Sequence, residues 1–177
     1  MIRIRPERPG ECDAIRAIHL AAFRGCIEAE LVDCLERDGD AMLSLVAEAD
    51  GVLLGHVLFS PLQLEPPVAG LQGAGLAPMA VLPSHQGRGI GTRLALAGIE
   101  ACRHADLDYL VVLGDQAYYA RFGFLPASQL GLSDSWGGED AFQVLELKPG
   151  CLTGVNSQVR YAPAFAALSR VASLDRA

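Results

Sequence analysis

Residues 86–91 read Gln-Gly-Arg-Gly-Ile-Gly, and nothing else in the 177-residue chain restricts its fold as much. Glycines this dense do not belong inside a helix or strand, because glycine loses the most backbone freedom on ordering. Here they separate an apolar run, Leu76–Val81, from an Ala/Leu-rich stretch with helical spacing, from about Thr92 to His104. The order is strand, glycine turn, helix. The first amides of such a helix have no intrahelical partner, and the helix dipole adds roughly half a positive charge there. The missing side chains let a ligand reach those amides. A phosphate or diphosphate suits this environment, and Arg88 can add a charge-assisted contact.

Two common nucleotide motifs do not match. A P-loop needs Lys then Ser/Thr after the last glycine, but Thr92-Arg93 follows Gly91. A dinucleotide fingerprint needs a sixth-position glycine and a later carboxylate. Counting from Gly87 or Gly89 gives Thr92 or Leu94, and the apolar run Leu110–Leu113 fills the place of the carboxylate.

The pattern that fits is Gln-x-x-Gly-x-Gly, preceded by Met79-Ala80-Val81-Leu82-Pro83. It resembles the pyrophosphate signature of the GCN5-related N-acetyltransferases, the GNAT family. That resemblance implies a cofactor, acetyl-CoA, and no metal. Its diphosphate would lie on Gln86, Gly87, Arg88, Gly89, Ile90, Gly91 and Thr92. Its pantetheine arm would pair with the backbone of Met79, Ala80 and Val81 like an added strand. Pro78 offers no N–H and can break the sheet ladder there. Downstream, Ala117-Tyr118-Tyr119-Ala120-Arg121-Phe122-Gly123-Phe124 places Tyr119 four residues before the glycine of a Gly-Phe pair. The family resemblance makes Tyr119 the catalytic group that protonates the departing thiolate; Tyr118 and Tyr119 could also simply pack a short helix.

One position departs from the family. Many relatives carry an Asn seven residues before the tyrosine, and this chain has Val112. Val111-Val112-Leu113-Gly114-Asp115 with Tyr-Tyr and Arg-Phe-Gly-Phe is similar to a bacterial subgroup, the YhbS-like acetyltransferases, across nearly the whole chain. The implied fold is α+β (α/β by some schemes): a mixed, mostly antiparallel sheet with helices on both faces, the acyl-CoA N-acyltransferase fold.

Element patterns agree. Ile2–Arg5 alternates as a first strand. Helical patterns follow, one with Ile15, Ile18, Leu20 and Phe23 as its apolar stripe, the next from Glu28 to Arg37. Met42–Ala49 and Val52–Ser60 read as strands joined at Asp50-Gly51. Residues 61–75 read as a loop, Tyr109–Leu113 as a buried strand, Gln116–Phe122 as a short helix, and Ala141–Leu147 and Val159–Tyr161 as further strands. A small helix is expected over Pro163–Leu174. This is one domain, 1–177, with a core of about 1–148 and an extension of about 149–177.

The net charge of −7 argues against nucleic acid, which needs a basic stripe. No apolar run reaches the roughly 18 residues of a membrane span, and the N-terminus has no signal-peptide core. Five scattered cysteines without C-x-x-C spacing argue against zinc and for a cytoplasmic location. Open sheet edges allow a homodimer.

The acceptor is expected to be a primary amine of a small molecule or protein. Its general base is not readable: His56 and His85 are candidates, and either fits an ordinary sheet or loop histidine. Glu28, Glu30 and Glu65 could meet a cationic amine, while Cys34 and Cys102 fit core packing. Trp136 could line a substrate cavity or cap a core edge; its loop and residues 61–75 are where substrate choice would be set. Two alternatives stay open, a non-catalytic acetyl-CoA-binding module and a nucleotide-binding oxidoreductase.

Overall fold

The structure, a computed structural model, describes residues 1–166. Its strands and α-helices in chain order are β1 (Arg3–Pro6), α1 (Cys12–Ala22), α2 (Ile27–Asp38), β2 (Leu43–Ala49), β3 (Val52–Glu65), β4 (Gly73–Val81), α3 (Ile90–His104), β5 (Tyr109–Leu113), α4 (Gln116–Ala120), β6 (Leu125–Pro126), β7 (Leu132–Ser133), β8 (Phe142–Glu146) and β9 (Ser157–Tyr161). Pairings β4–β5 and β7–β9 are parallel; β1–β2, β2–β3, β3–β9, β5–β8 and β6–β8 are antiparallel. The chain forms two compact units. The first holds Met1–Ser60, Pro78–Gly98 and the segment from Ala162; the second holds Pro61–Ala77 and Ile99–Tyr161.

In the first unit, α1 and α2 lie on one face of the strands and the start of α3 on the other. Strand alternation sorts the residues. A Cβ on Gly55 would meet Leu94 of α3 at 3.0 Å, whereas neighbouring His56 reaches His19 of α1. Ile15, Ile18, Leu31, Val32 and Leu35 from the helices are buried, as are Val46, Leu58 and Leu54 from the strands. Each such side chain contributes about 1.5–3 kcal/mol of burial. Leu20, expected on the inner stripe of α1, is 44% exposed, and His19 takes the inner place with no exposure. Ile15, Ile18 and His19 follow the i, i+3, i+4 rows of one face, and Leu20 is a further 100° round. Gly39, with φ 80°, ends α2 in the left-handed region. Asp50 and Gly51 both have positive φ, the turn that matches the twist of a two-residue hairpin.

In the second unit, β4 pairs β5 from Gly73↔Tyr109 to Gly75↔Val111, and β5 pairs β8 over its whole length. Leu64, Tyr109, Val111, Leu132, Phe142, Val144 and Val159 form its core. The loop expected over residues 61–75 is much shorter. β3 runs on to Glu65 and β4 starts at Gly73. Pro61 does not end β3 because it falls where the strand changes partner: pairing with β2 stops at Phe59 and pairing with β9 starts at Leu62. A proline costs no ladder bond at such a position. The two-residue strands β6 and β7 have no periodicity to read. A single 3₁₀ turn, Pro163–Phe165, starts where the terminal helix was expected; the remainder of that segment lies outside the described residues.

Candidate active site

The glycine turn lies in the first unit. A 3₁₀ turn at Pro83–His85 leads out of β4, and α3 starts at Ile90. Gly87 and Gly89 take φ of 71° and 76°, which a Cβ makes costly even though nothing lies within 4 Å of either site. Gln86, Gly87, Arg88 and Gly89 are exposed, while Ile90 is buried as the anchor of the helix start. The first intrahelical bond runs from Arg93 N–H to Gly89 C=O, 3.0 Å. The amides of Ile90, Gly91 and Thr92 therefore have no partner within the helix. The first turn of α3 holds no acidic residue to neutralise its dipole. Arg88 makes no ion pair among the described residues. Unbonded amides, an unopposed dipole and a guanidinium are chemistry suited to an anion such as a diphosphate.

The side chain of Gln86 is used within the protein. Its Nε2 donates to the Val81 carbonyl at 2.9 Å, tying the turn to the end of β4. Its role is to shape the turn, which the motif alone did not reveal. Met79 and Val81 are half-buried and Ala80 is buried. On the β3 side, Leu82 N–H donates to Leu54 C=O at 2.9 Å. The ladder to β5 has its last rung at Gly75, and Pro78, without an N–H, lies in the rest of β4.

Tyr119 lies in the second unit on α4. Asp115 caps that helix, its side chain accepting from Tyr118 N–H at 2.6 Å. The ring of Tyr119 is 9% exposed and packs edge-on against Tyr118 and Phe124. Gly114 leaves room for it: a Cβ there would stand 2.6 Å from Tyr119 Cε2. Burial, with a smaller contribution from Tyr118, pushes the phenol up to about 12. The hydroxyl is therefore a neutral donor across the physiological range. Tyr118 instead stacks under Arg121, 4.5 Å from the guanidinium carbon.

Val112, at the position of the family's Asn, is buried in β5 opposite Gln143 of β8. Sequence reasoning missed Gln143. Fully buried, it donates from Nε2 to Gly114 C=O at 3.1 Å and so steadies the turn that precedes α4. A single polar residue in an apolar strand carries no periodic signal. Among the other candidates, His56 is sealed in the core and His85 bonds Ser84 at 2.9 Å. Glu65 pairs with Arg160 at 2.5 Å, Glu28 and Glu30 sit in the first turn of α2, and Cys34 is half-buried. Cys102 is core, its thiol pushed up to about 12 by burial. Trp136 stacks on Tyr161 at 4.5 Å, and Tyr161 packs on the second unit's core. No group of residues suited to a metal ion occurs among the described residues.

The family model described as Acetyltransferase (GNAT) family matches residues 12–124, which contain the turn and Tyr119. This chain belongs to the GNAT family of acetyltransferases. The uncharacterized N-acetyltransferase YhbS of Escherichia coli K12 is 38% identical over 160 residues, 89% of this chain and 95% of YhbS. The crystal structure of E. coli YhbS in complex with CoA superposes with a TM-score of 0.88 at 36% identity, covering 93% of this chain and 92% of that one. A GNAT acetyltransferase from Brucella melitensis, in complex with acetyl-CoA, gives 0.77 at 36% identity over 93% and 98%. The mixed, mostly antiparallel GNAT fold is thereby shown. No described helix is long and apolar enough to cross a membrane.

Proposed function

We propose that this GNAT enzyme transfers the acetyl group of acetyl-CoA to a primary amine of a small molecule or protein, by direct attack of the amine on the thioester. The observation that carries the proposal is the turn at Gly87 and Gly89, with its open amides and undisturbed helix dipole. Acetyl-CoA comes from the relatives solved with CoA and acetyl-CoA. In this reading the diphosphate rests on residues 86–92 and the pantetheine arm pairs with the backbone of Met79, Ala80 and Val81. Holding amine and thioester together is worth about 7 kcal/mol, an effective molarity on the order of 10⁵ M. A backbone N–H on the thioester carbonyl adds on the order of 3 kcal/mol. Tyr119 donates a hydrogen bond to the departing sulfur.

Direct attack is favoured over an acyl-enzyme at Cys26, Cys102 or Cys151. Burial raises the thiols of Cys102 and Cys151, to about 12 and about 11, and a hydrogen bond to Glu30 raises that of Cys26. All three shifts move away from the nucleophilic thiolate. The five cysteines, all free, fit a proposed location in a reducing cytoplasm. The test is a panel of small amines and peptides with acetyl-CoA, reading thiol release and acetylated product by mass spectrometry. Product without acetylated enzyme supports the proposal. CoA binding with no transfer to any amine, or an acetyl-enzyme competent for transfer, overturns it.

A further inference from the structure

Strand alternation divides β5 and β8 between two faces. Tyr109, Val111, Phe142 and Val144 fill the second unit's core. Val112 and Gln143, directly opposite each other, therefore point to the other face, together with Leu110 and Leu145. The chain that follows α4 lies on that face: a Cβ on Gly123 would meet Leu145 Cδ1 at 3.4 Å. Gln143 has no exposure, and Phe142, Val144 and Leu145 around it are buried. Its amide has one possible orientation. The partners near it are both carbonyls, Gly114 C=O at 3.1 Å and Ala141 C=O at 3.4 Å, and a carbonyl meets only a donor. Nε2 therefore faces them, and Oε1 is buried without a partner among the described residues. A buried oxygen that meets no donor costs stability, so packing alone is a poor account of this amide.

What the amide does hold is Gly114. The Gly114 N–H donates to Ala141 C=O at 3.0 Å, and its C=O accepts from Gln143, so both of its polar groups are tied to the start of β8. Gly114 is also where Tyr119 rests. A Cβ there would lie 2.6 Å from Tyr119 Cε2, 3.2 Å from Cδ2 and 3.6 Å from Cζ, so one edge of the ring lies against the bare α-carbon. The next residue, Asp115, caps α4 through Tyr118 N–H. One short turn thus carries both the contact under the ring and the start of the helix that bears it. We infer that Gln143 is a positioning residue for Tyr119: by holding the Gly114 carbonyl it fixes the surface on which the ring rests, and with it the place of the hydroxyl. This rests on the reading above, in which Tyr119 donates to the departing sulfur. Rate is sensitive to such placement, since a shift of about 1 Å can cost ~100-fold.

The test is a double-mutant cycle of Gln143→Met with Tyr119→Phe. Methionine keeps the unbranched shape and removes the donor. Gln143→Met is expected to lower kcat ~10-fold, with the KM for acetyl-CoA within about twofold. In the Tyr119→Phe background the same change should cost less than about twofold, because no hydroxyl is left to misplace. Gln143→Asn, whose amide ends one methylene short of the Gly114 carbonyl, should repeat the loss and serves as the second variant should Gln143→Met not fold. An unchanged kcat, equal losses in both backgrounds, or a rise in KM in place of the fall in kcat overturns the positioning role while leaving acetyl transfer standing. If the unaltered protein acetylates no amine, or Tyr119→Phe alone changes nothing, the functional reading fails separately. Flipping of the Tyr119 ring, followed by NMR in protein with labelled tyrosine, then decides the inference. It should quicken ~10-fold or more in Gln143→Met as the ring loses its support, and an unchanged flip rate overturns the inference by itself.

Discussion

Tyr119→Phe removes one hydroxyl from a ring held by Tyr118, Phe122 and Phe124, with centroids 5.0, 6.2 and 5.7 Å away. The phenylalanine ring has the same place to occupy, so the change reports on the oxygen alone. The phenol lies at about 12, and an ordinary thiol at about 8.5. Handing a proton from one to the other costs on the order of 5 kcal/mol, at about 1.4 kcal/mol per pK unit. In its proposed role Tyr119 would therefore assist the departing sulfur by donating a hydrogen bond, not by giving up its proton. A hydrogen bond to a charged acceptor is worth about 1.5–3 kcal/mol, so kcat should fall roughly 10- to 150-fold. CoA affinity, measured by calorimetry, should stay unchanged, because the proposed diphosphate site at residues 86–92 does not include Tyr119. The assay is thiol release during acetylation of the best amine in the panel. A kcat within about twofold of the unaltered enzyme would refute the assignment.

Three further outcomes follow from the packing and the buried charges. Gly73→Ala puts a Cβ 2.2 Å from Tyr109 Cζ, and urea unfolding should show a loss of about 1–3 kcal/mol. On acidification, His19 and His56 should destabilise the fold. Their folded values, about 4 and about 3, lie below 6.5, so the unfolded chain binds more protons as pH falls from 6.5. Together they should cost a few kcal/mol, offset in part by Glu36, so thermal unfolding should show a lower Tm at pH 4.5 than at pH 6.5. Glu36→Gln should stabilise at pH 8 and not at pH 4. Its raised carboxyl gives stability below 4.5 that is lost as pH rises through about 7, a difference of about 1–2 kcal/mol after solvent screening.

The turn at residues 86–91 was legible because glycines between a strand pattern and a helix pattern admit few conformations. Asp50-Gly51 was legible for the same reason. Pro61 misled because a proline's cost depends on which strand is opposite it, and pairing between β3 and β9 joins residues nearly a hundred positions apart. His19 displaced Leu20 from the inner face because a buried imidazole with a partner at 2.8 Å satisfies the helix spacing that Leu20 misses. Separations of 37, 12 and 37 residues hid the hydrogen bonds from His19 to His56, His56 to Ser44 and Ser44 to Glu7, whose members come from α1, β3, β2 and the segment after β1. Gln143 escaped because its purpose is visible only beside Gly114.

In the proposed function, backbone amides at the start of α3 hold the diphosphate of the cofactor. The most direct measurement is a titration of the ¹⁵N-labelled protein with CoA, following backbone amide resonances. Hydrogen bonding to phosphate should move the Gly87, Gly89, Ile90 and Gly91 amides together, with one saturation curve that weakens as salt is added. Saturable CoA binding that leaves those four amides where they were would contradict the account.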